Sequence, residues 1–172
     1  YAASDSAPRT QVLQARIDLY FHKPSAPKQG LAHIEPPDLE GDESEYAHLV
    51  RQCGFHFAER LVLVLALVPH VRPQALDPLF VRNKNFDRGF AEFGGWKGKA
   101  HGGFLPTGET AAFLLAGDDI EQRIAAVALF ESDHAFHRRG ILRLEHDAPG
   151  EPFFSASLVI SDEYLERLTT GQ

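Results

Sequence analysis

Thr107-Gly108-Glu109-Thr110-Ala111-Ala112-Phe113-Leu114-Leu115-Ala116-Gly117-Asp118-Asp119-Ile120 is the stretch from which the fold reads most directly. A threonine at the N-cap position precedes a run of helix formers, and Gly117 closes that run in the position that favours glycine. Asp118-Asp119 then starts a second helix at once, with Ile120, Ile124, Val127 and Ala128 or Phe130 as its apolar stripe up to about Glu131. Two helices separated by one or two residues form a helix-turn-helix corner.

Downstream of this corner the period changes after Gly140. Ile141, Leu142 and Leu144 alternate with Arg143 and Glu145, His146 to Gly150 reads as a turn, and Phe153 to Ile160 as the returning strand of a hairpin. Ser161-Asp162-Glu163 caps a last helix carrying Tyr164, Leu165 and Leu168, ended by Gly171.

Upstream, Asp42-Glu43-Ser44-Glu45 gives an acidic helix start, and the helical pattern continues to Val68, where Pro69 is expected to stop it. Gly54 bends or divides this helix. Leu61 to Val68 is apolar on every side and predicts a buried central helix, with Glu59 and Arg60 at its wetter end. Pro73 suits the first turn of a shorter helix over Gln74 to Val81. Seven glycines between Gly89 and Gly108 predict an irregular connector with embedded aromatic anchors. Further out, Thr10 caps an expected helix from Gln11 to His22, and Pro24 to Gly41 reads as a proline-rich linker.

Helix, helix-turn-helix and hairpin is the element order of a winged helix. The expected fold is therefore α+β: a mostly helical, winged-helix-like domain over residues 42–172, with a C-terminal β-hairpin as wing. Residues 1–41 supply an additional N-terminal helix and the linker. At 172 residues, 44% hydrophobic and 24% charged, the chain suits one sizeable core and neither a disordered nor a fibrous class. The longest apolar run has eight residues and no basic-then-apolar leader opens the sequence, so neither a membrane span nor a signal peptide is expected. One cysteine, Cys53, allows no disulfide within the chain, which suits a cytoplasmic setting. The lack of methionine and the start at Tyr1 suggest a processed chain or a piece of a longer polypeptide.

Charge is unevenly spread. Residues 1–100 carry twelve Lys/Arg and twelve Asp/Glu, whereas residues 101–172 carry five arginines, no lysine and twelve acids, which accounts for the net charge of -7. An acidic C-terminal part disfavours a duplex-binding surface there. The local exception is the cluster Arg82, Lys84, Arg88, Lys97 and Lys99, interleaved with Phe86, Phe90, Phe93 and Trp96. Large aromatics first of all pack, yet cations among aromatics also make a partner-binding surface. Arg82, Lys84, Arg88, Trp96, Lys97 and Lys99 are the candidate partner-binding residues.

Chemistry-bearing motifs are scarce. Gly98-Lys99 is followed by Ala100, and position 93 is Phe where a phosphate loop needs glycine. His134 and His137 with Asp133, and Glu145-His146-Asp147, are the tightest metal-type clusters, but a structural zinc wants four ligands. No Gly-x-Ser-x-Gly elbow occurs, and Cys53 beside Gly54 reads as a small buried hydrophobe, although His56 is close enough in sequence to lower its pKa if the two face each other. The residues name no catalytic, cofactor or metal site.

The segment from Phe90 through Phe93-Gly94-Gly95-Trp96-Lys97-Gly98-Lys99 and Gly103-Phe104-Leu105-Pro106-Thr107-Gly108-Glu109-Thr110 to Gly117 resembles the N-terminal region of a group of bacterial AAA-family ATPases, some of which accompany contractile injection systems. The likeness extends over most of residues 44–172, and Gly103 to Thr110, including Pro106, is its most specific part. In that group a winged-helix-type domain precedes the ATPase module. The resemblance implies a non-catalytic adaptor or regulatory domain whose partner is another protein or the attached AAA module, with ATP and Mg held only by that module. It also implies that Gly103, Phe104, Pro106, Thr107, Gly108, Glu109 and Thr110 form a structural motif leading into the first helix of the corner. Two alternatives stay open from the residues alone: a nucleic-acid-binding winged helix, and a small metal-dependent hydrolase using His134, His137 and neighbouring acids.

Overall fold

The computed structural model describes residues 34–171, so the expected helix at residues 11–22 and most of the proline-rich linker lie outside the described residues. Helix α1 spans Glu45–Cys53, with Ser44 Oγ accepting the Ala47 N–H at 3.2 Å and Gly54 closing it in the left-handed region at φ 66°. That glycine divides the long helix foreseen for this part of the chain. Helix α2, Phe57–Val71, starts where Glu59 Oε2 accepts the His56 N–H at 3.1 Å. Leu61, Val62, Leu63, Val64, Leu65, Ala66 and Leu67 are all buried, as a helix apolar on every side requires.

Two expectations about α2 need correction. Pro69 does not stop the helix, which runs on to Val71 and closes with the Arg72 N–H on the Val68 carbonyl at 2.8 Å. A proline here deprives one carbonyl of its donor, and the burial of residues 61–67 in the same helix outweighs that loss. Nor is Arg60 at a wet end: it is 7% exposed, with its guanidinium donating to the Pro37 carbonyl at 2.9 Å and to the Tyr46 hydroxyl at 3.4 Å. A buried cation is tolerated when its guanidinium is hydrogen-bonded, as here to the Pro37 carbonyl and the Tyr46 hydroxyl.

Pro73–Phe80 forms a 3-10 turn rather than an α-helix, with Pro78 inside it, and sends Leu76 and Leu79 into the core. The glycine-rich connector is more ordered than expected. It contains the short antiparallel hairpin of β3 (Trp96–Lys97) with β4 (Phe104–Leu105), and a second one, β1 (Arg82–Asn83) with β2 (Arg88–Gly89), leads into it.

Helix α3, Gly108–Ala116, follows directly. The Thr107 N–H donates to Thr110 Oγ1 at 3.0 Å, and Gly117 closes the helix at φ 57°. Gly108 itself does not have a positive φ. It is needed because an added Cβ would stand 3.1 Å from the Phe154 Cα and 2.8 Å from its ring. The next helix is shorter than foreseen: α4, Ile120–Ala125, tightens into a 3-10 turn at Ala126–Phe130. Its expected inward stripe is also wrong, since Ile120 and Ile124 are 71% and 67% exposed, and Ala126 and Leu129 are the residues that enter the core. Arg123 pairs with Glu109 of α3, and with Ala126 and Leu129 in the core the isoleucines are left facing outward. A four-residue helix, α5 (Ala135–Arg138), was not foreseen; it buries Phe136, whose ring lies 5.0 Å from that of Phe55.

Strand β5 (Leu142–Glu145) pairs antiparallel with β6 (Ser157–Ile160), in the register Leu142↔Ile160 to Glu145↔Ser157. The return strand starts later than Phe153, because Phe153–Ser155 makes a 3-10 turn that packs Phe154 near Gly108 and Phe130. The other edge of β6 is also occupied. The Leu158 N–H donates to the Pro106 carbonyl and the Gly108 N–H to the Ala156 carbonyl, both at 3.0 Å, with a bridge between Thr107 and Ser157. Helix α6, Asp162–Thr170, ends at Gly171 and ties back to α1 through Arg167 Nε on Glu45 Oε2 at 2.5 Å. The architecture is thus α+β, with small sheets set against helices that share one core. No helix among the described residues is long and apolar enough to cross a membrane.

Candidate functional site: two adjoining clefts of opposite charge

Gly94 and Gly95 form a ridge with a cleft on either side. Both have positive φ, and each is closely backed. A Cβ on Gly95 would fall 2.0 Å from Cζ of the Phe104 ring, and one on Gly94 would fall 2.4 Å from Thr107 Oγ1. The Gly95 N–H donates to Thr107 Oγ1 at 3.1 Å, which fastens the ridge to the start of α3. Phe104 is buried beneath it, and Thr107 and Thr110 are buried beside it.

On one side lies a groove of about 430 Å³, lined among others by Leu79, Phe80, Arg82, Phe90, Trp96 and Lys97. The 3-10 turn leaves Phe80 at the rim, edge-on to Phe104 with ring centroids 5.4 Å apart. Phe80 is 39% and Trp96 41% exposed, so aromatic surface remains open to solvent on a framework held from below. Arg82 is anchored on its own hairpin, 3.0 Å from Asp87 Oδ1, and also donates to the Asp87 carbonyl at 2.6 Å. Asp87 adopts φ 47°, the left-handed turn that closes the hairpin. Of the six candidate partner-binding residues, the fold brings Arg82, Trp96 and Lys97 into this groove. Lys84 and Arg88 stay exposed on the β1–β2 hairpin, Arg88 with its guanidinium 5.5 Å from the centroid of the exposed Phe86 ring, and Lys99 lies beyond β3.

On the other side lies a cleft of about 600 Å³, lined among others by Glu92, Glu109, Asp118, Ile120 and Arg123. Arg123 and Glu109 satisfy each other, and Asp119 Oδ1 is taken by the Gln122 N–H at 3.1 Å. Asp118 is exposed, and one Glu92 carboxylate oxygen is buried without a hydrogen-bond partner. The cleft is therefore acidic at Glu92 and Asp118 and apolar at Ile120. Sequence reasoning missed it, because Asp118-Asp119 is read first as a helix start, which is the part Asp119 plays. The only signal was the excess of acids after residue 100.

The other candidate chemistries are dispersed. Among the described residues no group of three or more His, Cys, Asp and Glu side chains is placed to hold a metal ion. His134 Nδ1 accepts the Phe136 N–H at 3.2 Å, its Nε2 is 3.8 Å from Glu59, and its ring packs beside Phe55 and Phe136, so it serves the start of α5. Cys53 is partly buried against the core, and burial is the main cause that pushes its thiol up from the ordinary range, the direction opposite to activation. Partial desolvation lowers the pKa of the largely exposed His70, with His101 adding to the effect.

Comparison of the chain with protein-family models, with curated proteins and with solved structures gave no match.

Proposed function

We propose that this chain is a non-catalytic, protein-docking domain of winged-helix type, acting in the cytoplasm as the N-terminal adaptor of an AAA-family ATPase. The winged-helix part is supported by chain order and pairing. Helix α2, the strand through 104–107, helices α3 and α4, then β5 and β6 follow one another, and β6 is central between β5 and residues 106–108. The AAA part rests on the resemblance of Phe90 to Gly117. It requires Gly-x-x-x-x-Gly-Lys followed by Thr or Ser in the polypeptide beyond Gln172, and a complete coding sequence without that motif refutes it.

The observation that carries the docking role is the groove of Phe80, Arg82, Trp96 and Lys97. It presents open aromatic faces and cations, with Trp96 and Lys97 on a hairpin backed by Gly95 and Phe104. Solvent-facing aromatic surface beside fixed charge suits an acidic protein segment carrying an apolar side chain. The nucleic-acid alternative draws on the same residues, but the acids at Glu92 and Asp118 across the ridge repel a phosphate backbone.

Trp96 is the one tryptophan of the chain, so its fluorescence reports this groove. A saturable change on titration with a peptide of Asp and Glu bearing Phe or Leu, lost in Lys97→Glu, is the expected result. A response to single-stranded oligonucleotide with steep salt dependence, and none to the peptide, replaces this reading with the nucleic-acid one.

A further inference from the structure

The two clefts are complementary to each other. One offers Trp96 and Phe80 with Lys97, beside Arg82 in its pair with Asp87; the other offers Ile120 with Asp118 and Glu92, and Ile124 lies one helical turn beyond Ile120. Both isoleucines are more than 60% exposed, and neither cleft is screened from the other, since Gly94 and Gly95 line both. Opposite patches sharing an edge have a geometric consequence. A twofold axis through that edge sets the cationic side of one copy against the acidic side of the next, and the reverse, so a single surface is self-complementary. The same operation brings the side of Ile120 to the side of Trp96, burying apolar area on both sides.

We infer that the occupant of both clefts is a second copy of this chain, forming a twofold dimer across the Gly94–Gly95 ridge. This rests on the docking role proposed for the groove and names the partner. Each contact occurs twice across the axis, so a change at one residue is felt twice. Opposite charge sets which partners meet, and salt weakens the association.

The test is sedimentation equilibrium of the chain with Lys97→Glu and with Asp118→Lys, each alone and mixed, after circular dichroism has shown that both fold. The unaltered chain is expected to dimerise at low ionic strength. Each variant alone is expected to weaken dimerisation about tenfold. The mixture is expected to associate again, because in the mixed pair one contact is native and the other has both charges reversed. A chain that stays monomeric, a dimer indifferent to both changes, a mixture that does not associate, or growth into an open series of larger species each overturns the inference. The fluorescence titration keeps the two proposals apart. A monomer that still binds the acidic peptide retains the docking groove and loses the dimer, whereas a monomer that binds no peptide loses both.

Discussion

The segment from Gly103 to Thr110 and the segment from Arg82 to Lys99 are neighbours, yet they are built on opposite principles. In the first, Phe104, Pro106, Thr107, Gly108 and Thr110 are buried, and the backbone is held by β3 on one strand edge and by β6 further along. In the second, Arg82, Lys84, Phe86, Arg88, Trp96, Lys97 and Lys99 are all exposed, on hairpins only two residue pairs long. Short hairpins are marginal alone and need packing from outside. The buried segment supplies that packing through Phe104, so stability is concentrated in one stretch and recognition chemistry in the other.

The comparison is broken first at the ridge. Gly95→Val combines a positive φ with a Cβ inside the Phe104 ring, and a loss of about 4 kcal/mol is expected by denaturant unfolding. An unchanged midpoint removes the claim that the two segments are coupled there. Gly108→Val follows at about 2 to 3 kcal/mol, from collision with the Phe154 backbone rather than from φ. A smaller effect belongs to Thr110→Val, which keeps the shape but leaves the Thr107 N–H without its acceptor, for about 1 to 2 kcal/mol.

The pH dependence sharpens the contrast from a third place. Partial desolvation lowers the pKa of His70 although much of its ring stays exposed, so folding modestly favours the neutral ring. The stability this contributes is present above the ordinary value of 6.5 and is lost as pH falls through the lower folded value. Melting temperature should therefore fall on acidification below 6.5, and His70→Gln should reduce that slope; an identical slope in the variant defeats the assignment. Smallest of all is the stability effect of Lys97→Glu, within about 0.5 kcal/mol as for other exposed positions, while peptide binding is lost. A large drop in stability would show that the exposed hairpin is scaffold after all.

Much of the scaffold was legible because its signals are local. Ser44 and Gly54 bound α1, Thr107 and Gly117 bound α3, and Gly171 ends α6, whose first residue follows Ser161 although the Ser161 hydroxyl makes no cap hydrogen bond. Caps and left-handed glycines act within a few residues, so their meaning survives without knowledge of the fold. The helix α4 shows where this stops. Ile120 and Ile124 do share a face, as their spacing says, but a period tells which residues go together and not which way they point; the burial of Ala126 and Leu129, with the Glu109–Arg123 pair beside it, goes with the opposite face. Helix α5 was too short to show a period, and Pro69 was overruled by the packing of α2 around it.

The same division holds for the candidate site. Composition singled out Arg82, Lys84, Arg88, Trp96, Lys97 and Lys99 as one cluster, and only half of them line the groove. By itself the sequence determined the boundaries of α1, α3 and α6, the C-terminal hairpin and the separation of an acidic C-terminal part from a cationic, aromatic middle. The tertiary structure alone decided that Glu92 and Asp118 flank one cleft, that Trp96 and Lys97 flank the other, and that both open on a shared ridge. The reason is range: caps and turns depend on neighbours in the chain, whereas a cleft depends on side chains brought together across the core by packing that no short window of sequence contains.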